Sequence, residues 1–382
     1  MAVFPYIKGK MVNMKKLKRK KKLKILLSVI SITLVAVIGF FIYSTYQADK
    51  MVELLSGLSF SETIEYTTKD KDGAFISVGI VQDGKVDFTV YGKDGSVVSP
   101  EEQYDYEVGS ITKTFNAMLL ANALDEKKIN LSDSIDKHLD LPEQDYYPTI
   151  ERLVTHTAGY REYYFESQMI FNFFKGRNSF YGISNEQILS KAGKIKLKDE
   201  DYPFRYSNFG QAVLGLVLEK VYGDSYTNIM NDYIQDSLAL NSTKVSDGNG
   251  NLSDYWDWKQ NDGYVPAGAI VSNIEDMLKF LQMQMTENPK YLAATHGKLK
   301  DNFITADIND KLNIHVDGMG ICWMIDETNN IIWHNGATGN YNSYIGFDKA
   351  NQTGVVILSN LPPDYKIPAT IMGVKLLSEL KN

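Results

Sequence analysis

Hydrophobic and polar positions divide the chain into three regimes. From Ile25 to Ala48 there is no charged residue, and the apolar run Ile25 through Tyr43 is long enough for a helix to span about 30 Å of hydrocarbon. Residues 49–72 are polar with little apolar pattern. Beyond them, alternating apolar positions at 74–81 and 86–92, joined by Gln82-Asp83-Gly84-Lys85, predict a β-hairpin. A largely apolar helical pattern covers 110–125. Helical and irregular segments follow to about residue 240, including a helix from Gln211 to Tyr222, and 241–263 is rich in turn residues. Ser272-Asn273-Ile274-Glu275 predicts a capping box that opens another helix. Strand-like runs then recur near 317–325, 330–337, 341–348 and 354–358, before a closing helix from Ala369 to Leu380. Strands at both ends with helices between predict one sheet built from the two ends of the chain and interrupted by a helical insert.

Charge sharpens the first regime. The 382 residues carry a net charge of −7, yet residues 1–24 hold ten Lys/Arg and no acid, which leaves 30 basic against 47 acidic residues, or −17, for 25–382. A basic block ahead of an apolar run places that end in the cytoplasm and everything after Ala48 outside the cell. Tyr43 and Tyr46 stand where interfacial anchors are expected. The segment is longer than a signal-peptide core, and no small-residue cleavage site follows it, so it reads as an uncleaved anchor. The single Cys322 excludes an intrachain disulfide and a cysteine zinc site, and reads as a small core residue. The Asp247-Gly248-Asn249-Gly250-Asn251 stretch resembles a calcium loop only loosely, since Leu252 and Trp258 occupy the positions where such a loop needs glycine and glutamate. No metal, cofactor or nucleic-acid signature stands out.

Candidate chemistry centres on Gly109-Ser110-Ile111-Thr112-Lys113. If Ser110 opens the helix, Lys113 lies one turn on, on the same face, with its amine in reach of the hydroxyl. A serine needs such a base, and a lysine can act as one only if burial depresses its pKa. Two other Ser-x-x-Lys matches, Ser134/Lys137 and Ser378/Lys381, lack both the preceding glycine and the buried helix behind. Tyr206-Ser207-Asn208 offers a phenol and an amide on one side of an extended segment, whereas Tyr226-Thr227-Asn228 reads as a surface coincidence on a helix. His334-Asn335-Gly336 is the chain's single His-x-Gly and lies on a strand-like run. His156 reads as a structural histidine. The aromatic run Tyr160, Tyr163, Tyr164, Phe165, Phe171, Phe173, Phe174 reads as core filler in preference to a lip of the cleft near lipid.

These motifs, in this order, resemble the penicillin-recognising serine hydrolases, the branch of class C β-lactamases, D-alanyl-D-alanine carboxypeptidases and related esterases. The resemblance covers roughly 74–380 and extends to Leu153-Val154-Thr155-His156-Thr157-Ala158-Gly159 and to Gly268-Ala269-Ile270-Val271-Ser272 with Asp276. It implies an α/β fold of the β-lactamase/transpeptidase type, an antiparallel sheet flanked by helices plus a mostly helical lobe at about 110–255, here preceded by one N-terminal transmembrane helix. The organisation expected is a cytoplasmic basic segment 1–24, a transmembrane helix 25–46, a stalk 47–72 and an extracellular hydrolase domain 73–382. The resemblance further implies Ser110 as acylated nucleophile, Lys113 as its base or base partner, Tyr206 as phenolic acid/base, and Asn208 as orienting amide. His334 would supply the hydrogen bond or charge that other branches take from a lysine. The oxyanion hole would be the backbone N–H groups of Ser110 and Ala337, with Asn208 and Gly336 against the substrate. Which of Lys113 and Tyr206 takes the first proton stays open. The Lys-Thr-Gly form of the third motif in class C β-lactamases is absent, which favours D-alanyl amide or ester bonds of cell-wall peptides or teichoic acids over β-lactams. The implied setting is the outer face of a bacterial, Gram-positive, cell membrane. The alternatives are a β-lactamase or a non-catalytic cell-wall sensor with the same fold.

Overall fold

A computed structural model describes residues 49–99, 104–246, 255–259, 261–302 and 307–381, together with 33, 40 and 46. The chain divides into two units, Met1–Gly57 and Leu58–Asn382. In the first, residues 49–57 are helical. Residues 1–24 and, apart from 33, 40 and 46, the apolar segment 25–46 lie outside the described residues. Among the described residues no helix is long and apolar enough to cross a membrane. The calcium-like stretch 247–251 also lies outside them.

The second unit begins earlier than its sequence pattern suggested. Phe60–Thr68 (α1), opened by a capping box between Ser59 and Glu62, is a built-in part of the domain and not a stalk. It buries Phe60 and Ile64, and the Phe60 N–H donates to Glu379 at 2.6 Å. Its apolar positions are sparse enough to read as polar linker until the partner surface is known.

Twelve strands are named here in chain order. Ile76–Gln82 (β1), Lys85–Tyr91 (β2) and Val97–Val98 (β3) come first, then Tyr106–Glu107 (β4), Lys244–Val245 (β5) and Ile270–Ser272 (β6). After them come Lys300–Asp301 (β7), Gly318–Met319 (β8), Met324–Asp326 (β9), Ile331–Ala337 (β10), Asn342–Asp348 (β11) and Thr353–Ser359 (β12). Nine form one antiparallel sheet in the order β3-β2-β1-β12-β11-β10-β9-β8-β7, so strands from the two ends of the chain do pair, Ile76 opposite Ser359. The hairpin turns on Asp83 and Gly84, both with positive φ, the backbone a two-residue hairpin needs. Every residue of β11 and β12 is buried because both faces of the sheet are covered. Register assigns the faces: Gly79 and its neighbours pack on Leu278 of the helix Ile274–Thr286, while Tyr344, opposite Ile357, packs on Gly373 of the helix Ala369–Lys381. The first of these helices is capped by Asn273, which accepts from the Asp276 N–H at 3.0 Å, one residue later than the expected Ser272 box.

The run 317–325 is not one strand. Cys322 has φ of +58° and the chain turns there, which separates β8 from β9. Between the two ends of the sheet lies the helical insert, with Thr112–Asp125 (α2), Ser167–Phe174 (α3) and Asn208–Tyr222 (α4) among its helices. A small second sheet, β4-β6-β5, fastens the insert to the segment just before Ser110. Two-residue strands of this kind leave no periodic trace in a sequence.

Candidate active site

Ser110 lies in a 3₁₀ turn, Gly109–Ile111, that runs into α2, so its N–H falls among the helix-opening groups that have no intrahelical acceptor. The turn is clamped from two sides. Val108 donates its N–H to Ile270 O at 3.0 Å, and the Thr112 hydroxyl accepts from Ile270 N at the same distance. Ser343 Oγ donates to Val108 O at 2.8 Å across the strand β10. Gly109 adopts φ of +52°, and a Cβ there would sit 2.5 Å from Ala337 N; one on Gly336 would sit 1.9 Å from Val108 O. Two glycines therefore let the nucleophile's turn lie directly against the end of β10.

Lys113 is fully buried one turn behind Ser110. Its Nζ donates to Ser110 Oγ at 2.9 Å and to Ala267 O at 2.6 Å. Burial pulls its pKa down to about 7, against an opposing pull from Cys322 and Glu162. A neutral amine in this position can keep one N–H on Ala267 O and turn its lone pair to the serine proton. The Tyr206 ring lies under the same amine, 4.9 Å from Nζ. Burial raises the phenol well above its ordinary range, and the Ser110 hydroxyl eases its pKa downward only in part. At neutral pH the site thus holds a partly deprotonated lysine on the Ser110 hydroxyl and a protonated tyrosine beside it.

Tyr206 and Asn208 flank Ser207, the N-cap of α4, whose hydroxyl accepts from Gly210 N at 2.8 Å and donates to Arg161 O at 2.7 Å. His156, buried in a left-handed conformation, holds this segment in place: Nδ1 accepts from Ser207 N at 3.1 Å, its carbonyl from Arg205 N at 2.8 Å, and its ring lies 4.6 Å from that of Tyr206. Its structural role is as expected from the sequence.

On β10, alternation sends Asn335 to the face of Ala369–Lys381, where it donates to Thr370 Oγ1 at 2.9 Å, and sends His334 to the face of Ser110. His334 is fully buried, its ring 6.3 Å from that of Tyr206. Burial, and then the charge of Lys113, push its pKa down to about 3, so it carries no charge in the neutral range. Of the hydrogen bond or charge expected of it, only the hydrogen bond is left. Its Nδ1–H donates to Asn335 O at 2.6 Å, leaving an Nε2 lone pair with no partner among the described residues. Thr338 N donates to Tyr341 O, on the β11 side. By the same alternation Ala337 N–H points to the other edge, which β9 vacates after Trp333. That edge faces Ser110.

Ser110, Tyr206, Asn208, Gly336 and Ala337 all line one cavity of about 860 Å³. The other Ser-x-x-Lys pairs lie elsewhere: Lys137 pairs with Asp133 and Lys381 with Asp348. Tyr226 is no surface residue, being buried and donating to Asn116 Oδ1. The aromatic run is likewise corrected. Tyr160 is core, but Phe171 and Phe174 are exposed, and Tyr163, Phe165 and Phe173 line the cavity.

Sequence reasoning missed two carboxylates. Glu107, buried two residues before Gly109, accepts from Trp256 N at 2.8 Å and from Thr338 Oγ1 at 2.6 Å, tying a cavity wall to the end of β10; burial lifts its pKa to about 7. Its place beside Gly109-Ser110 was the one available signal. Glu162 lines the cavity and carried no signal at all.

The sequence profile of a family described as Beta-lactamase matches residues 61–370. Among curated proteins, the chain is 22% identical over 319 residues to Protein flp of Staphylococcus aureus (strain MW2), covering 76% of this chain and 60% of that protein. It is 25% identical over 343 residues to a Beta-lactamase of Pseudomonas fluorescens, covering 78% and 91%. The chain thus spans about three fifths of the length of Protein flp. Among solved structures it is similar to a Beta-lactamase/D-alanine Carboxypeptidase from Yersinia pestis complexed with citrate, with TM-score 0.67, 17% identity, and 88% and 99% of the two chains covered. It is also similar to the octameric penicillin-binding protein homologue from Pyrococcus abyssi, with TM-score 0.65, 20% identity, and 80% and 73% covered. At these identities the structural likeness speaks to the fold alone.

Proposed function

Because the chain belongs to the beta-lactamase family of serine hydrolases, we propose that it is a membrane-anchored acyl hydrolase acting outside the cell on D-alanyl amide or ester bonds of cell-wall polymers, through a covalent Ser110 intermediate. One observation carries the reading: a fully buried Lys113 amine 2.9 Å from Ser110 Oγ, with its pKa pulled down to about 7. Neutral Lys113 takes the hydroxyl proton as Ser110 Oγ attacks the carbonyl carbon. The oxyanion forms against the N–H groups of Ser110 and Ala337. Tyr206, protonated at neutral pH, gives its proton to the leaving oxygen or nitrogen and recovers one from Lys113. Asn208 orients the substrate, and water then attacks the Ser110 ester by the same route reversed. The lowered Lys113 and raised Tyr206 support lysine as acceptor of the first proton in this reading.

The membrane part of the proposal rests on the uncharged stretch Ile25 to Ala48 behind ten basic residues. Incubating the protein with a fluorophosphonate tests the chemistry by mass spectrometry. One adduct, absent in Ser110→Ala, supports the enzyme, and no adduct with any serine probe overturns it in favour of a scaffold. Release of D-alanine from stem peptides against teichoic-acid esters, compared with Ser110→Ala, separates the substrate classes.

A further inference from the structure

The cavity around Ser110 is lined without a single lysine, arginine or histidine among the described residues, and its one ionisable carboxylate is Glu162. The segments 100–103, 247–254, 260 and 303–306, outside the described residues, contain no basic residue in sequence either. Basic groups do come near, His156 among them, buried against the Tyr206 ring and held neutral by that burial. Lys113 is buried under Ser110 and shed from the ammonium state near neutrality; His334 is buried and neutral; the Arg161 guanidinium is directed over the Tyr164 ring, 6.0 Å away. Glu162 has no ion-pair partner among the described residues, and its charge reaches both Lys113 and Tyr206. Tyr163, Phe165, Phe180, Trp256 and Trp333 line the same cavity.

We propose that this site selects aminoacyl esters, whose ammonium sits beside the reacting carbonyl, through Glu162 and the surrounding aromatic faces, and rejects substrates that carry a carboxylate there. The proposal rests on the serine-hydrolase reading and narrows it. An ammonium entering this open cavity meets the exposed Glu162 carboxylate and ring faces, both of which favour a cation. A carboxylate finds no cation among the residues lining the cavity and faces the like charge of Glu162. In the favoured reaction Ser110 Oγ displaces the alcohol of the ester, which leaves with the Tyr206 proton, and water releases the free amino acid from Ser110.

The test uses the full chain and three umbelliferyl esters that differ in one group: D-alanyl (ammonium), isobutyryl (methyl) and methylmalonyl (carboxylate). Each kcat/KM is taken as a ratio to the isobutyryl ester, and Glu162→Gln is compared with the unaltered protein so that intrinsic ester reactivity cancels. The D-alanyl ratio is expected to fall roughly tenfold in Glu162→Gln, between the worth of an exposed pair and a desolvated one, mostly through KM, with the methylmalonyl ratio rising. Glu162→Asp is expected to restore most of the preference, which a merely structural role would not do. Ratios that stay within about twofold in Glu162→Gln overturn the proposal while leaving the hydrolase intact. No turnover of any of the three above that of Ser110→Ala overturns the hydrolase reading itself, and the selectivity with it.

Discussion

Replacing Gly109 by alanine tests how the nucleophile's turn meets the end of β10. The residue sits at φ of +52°, where an L side chain costs about 1–2 kcal/mol. The new Cβ would lie 2.5 Å from Ala337 N and 2.9 Å from Ala337 O, whereas ordinary contact begins near 3.4 Å. Neither contact is with a flexible side chain, so the strand end has to retreat by about 0.9 Å to restore ordinary contact. A donor of the proposed oxyanion hole works at about 2.7–3.1 Å, so that retreat removes Ala337 N–H from it. Losing one such donor lowers the acylation rate by about 10²–10³, or 2.7–4 kcal/mol. Stability falls by the smaller backbone cost, so the variant stays folded. The assay is stopped-flow acylation by an umbelliferyl ester, with circular dichroism as the check on folding. A folded Gly109→Ala that acylates within about threefold of the unaltered rate would refute the assignment of Ala337 N–H.

Acylation should rise with pH through about 7, as Lys113 loses its proton, with no separate limb near the ordinary histidine pKa because burial holds His334 at about 3; a pH profile of kcat/KM checks both. Burial raises Glu107 from 4.5 to about 7 in the folded state, so the stability it contributes is fully present below pH 4.5 and is lost as pH rises through 7, a change of about 3 kcal/mol. Glu107→Gln should therefore flatten the fall in unfolding midpoint between pH 5 and about pH 8, measured by thermal melts. The full chain should sediment with membranes, and deletion of residues 25–46 should release it, read by fractionation and by the access of external protease to the domain.

The parts of this protein legible in sequence are those set by local spacing or by long periodic runs. Ser110 and Lys113 are three residues apart on a helix, so their meeting follows from helix geometry alone. The strands β10 to β12 are seven residues each and carry apolar runs such as Val355-Val356-Ile357-Leu358, a signature for a doubly covered sheet. What escaped depends on distant surfaces. The helix α1 has too few apolar positions to stand out from a stalk until Glu379 and the closing helix meet it. The aromatic run splits between core and cavity because helix α3 leaves one side uncovered, which composition alone cannot show. Glu162 belongs to no motif, and only its place in the cavity wall gives it meaning.

Burial activates Lys113, and the same burial limits how the site can stabilise charge. Lys113 becomes an ammonium only by taking the serine proton and stays behind Ser110, bonded to Ala267 O, while His334 is neutral throughout, so no cation lines the cavity wall and Glu162 adds a negative field. In the proposed reaction the direct hydrogen bonds to the oxyanion then come from two backbone dipoles, whose worth falls steeply with distance and angle. That explains why Gly109 and Gly336 stand where any side chain would collide with backbone: the separation between the turn and the strand is the variable on which stabilisation depends. It also gives Glu107 a reason to be buried, since the bond it accepts from Thr338, the residue after Ala337, fixes the strand end against the segment that carries Ser110, while the other holds Trp256. A cation-lined cleft could tolerate a looser strand, because an ion's field extends further than a dipole's. Here looseness at β10 should cost rate before it costs stability.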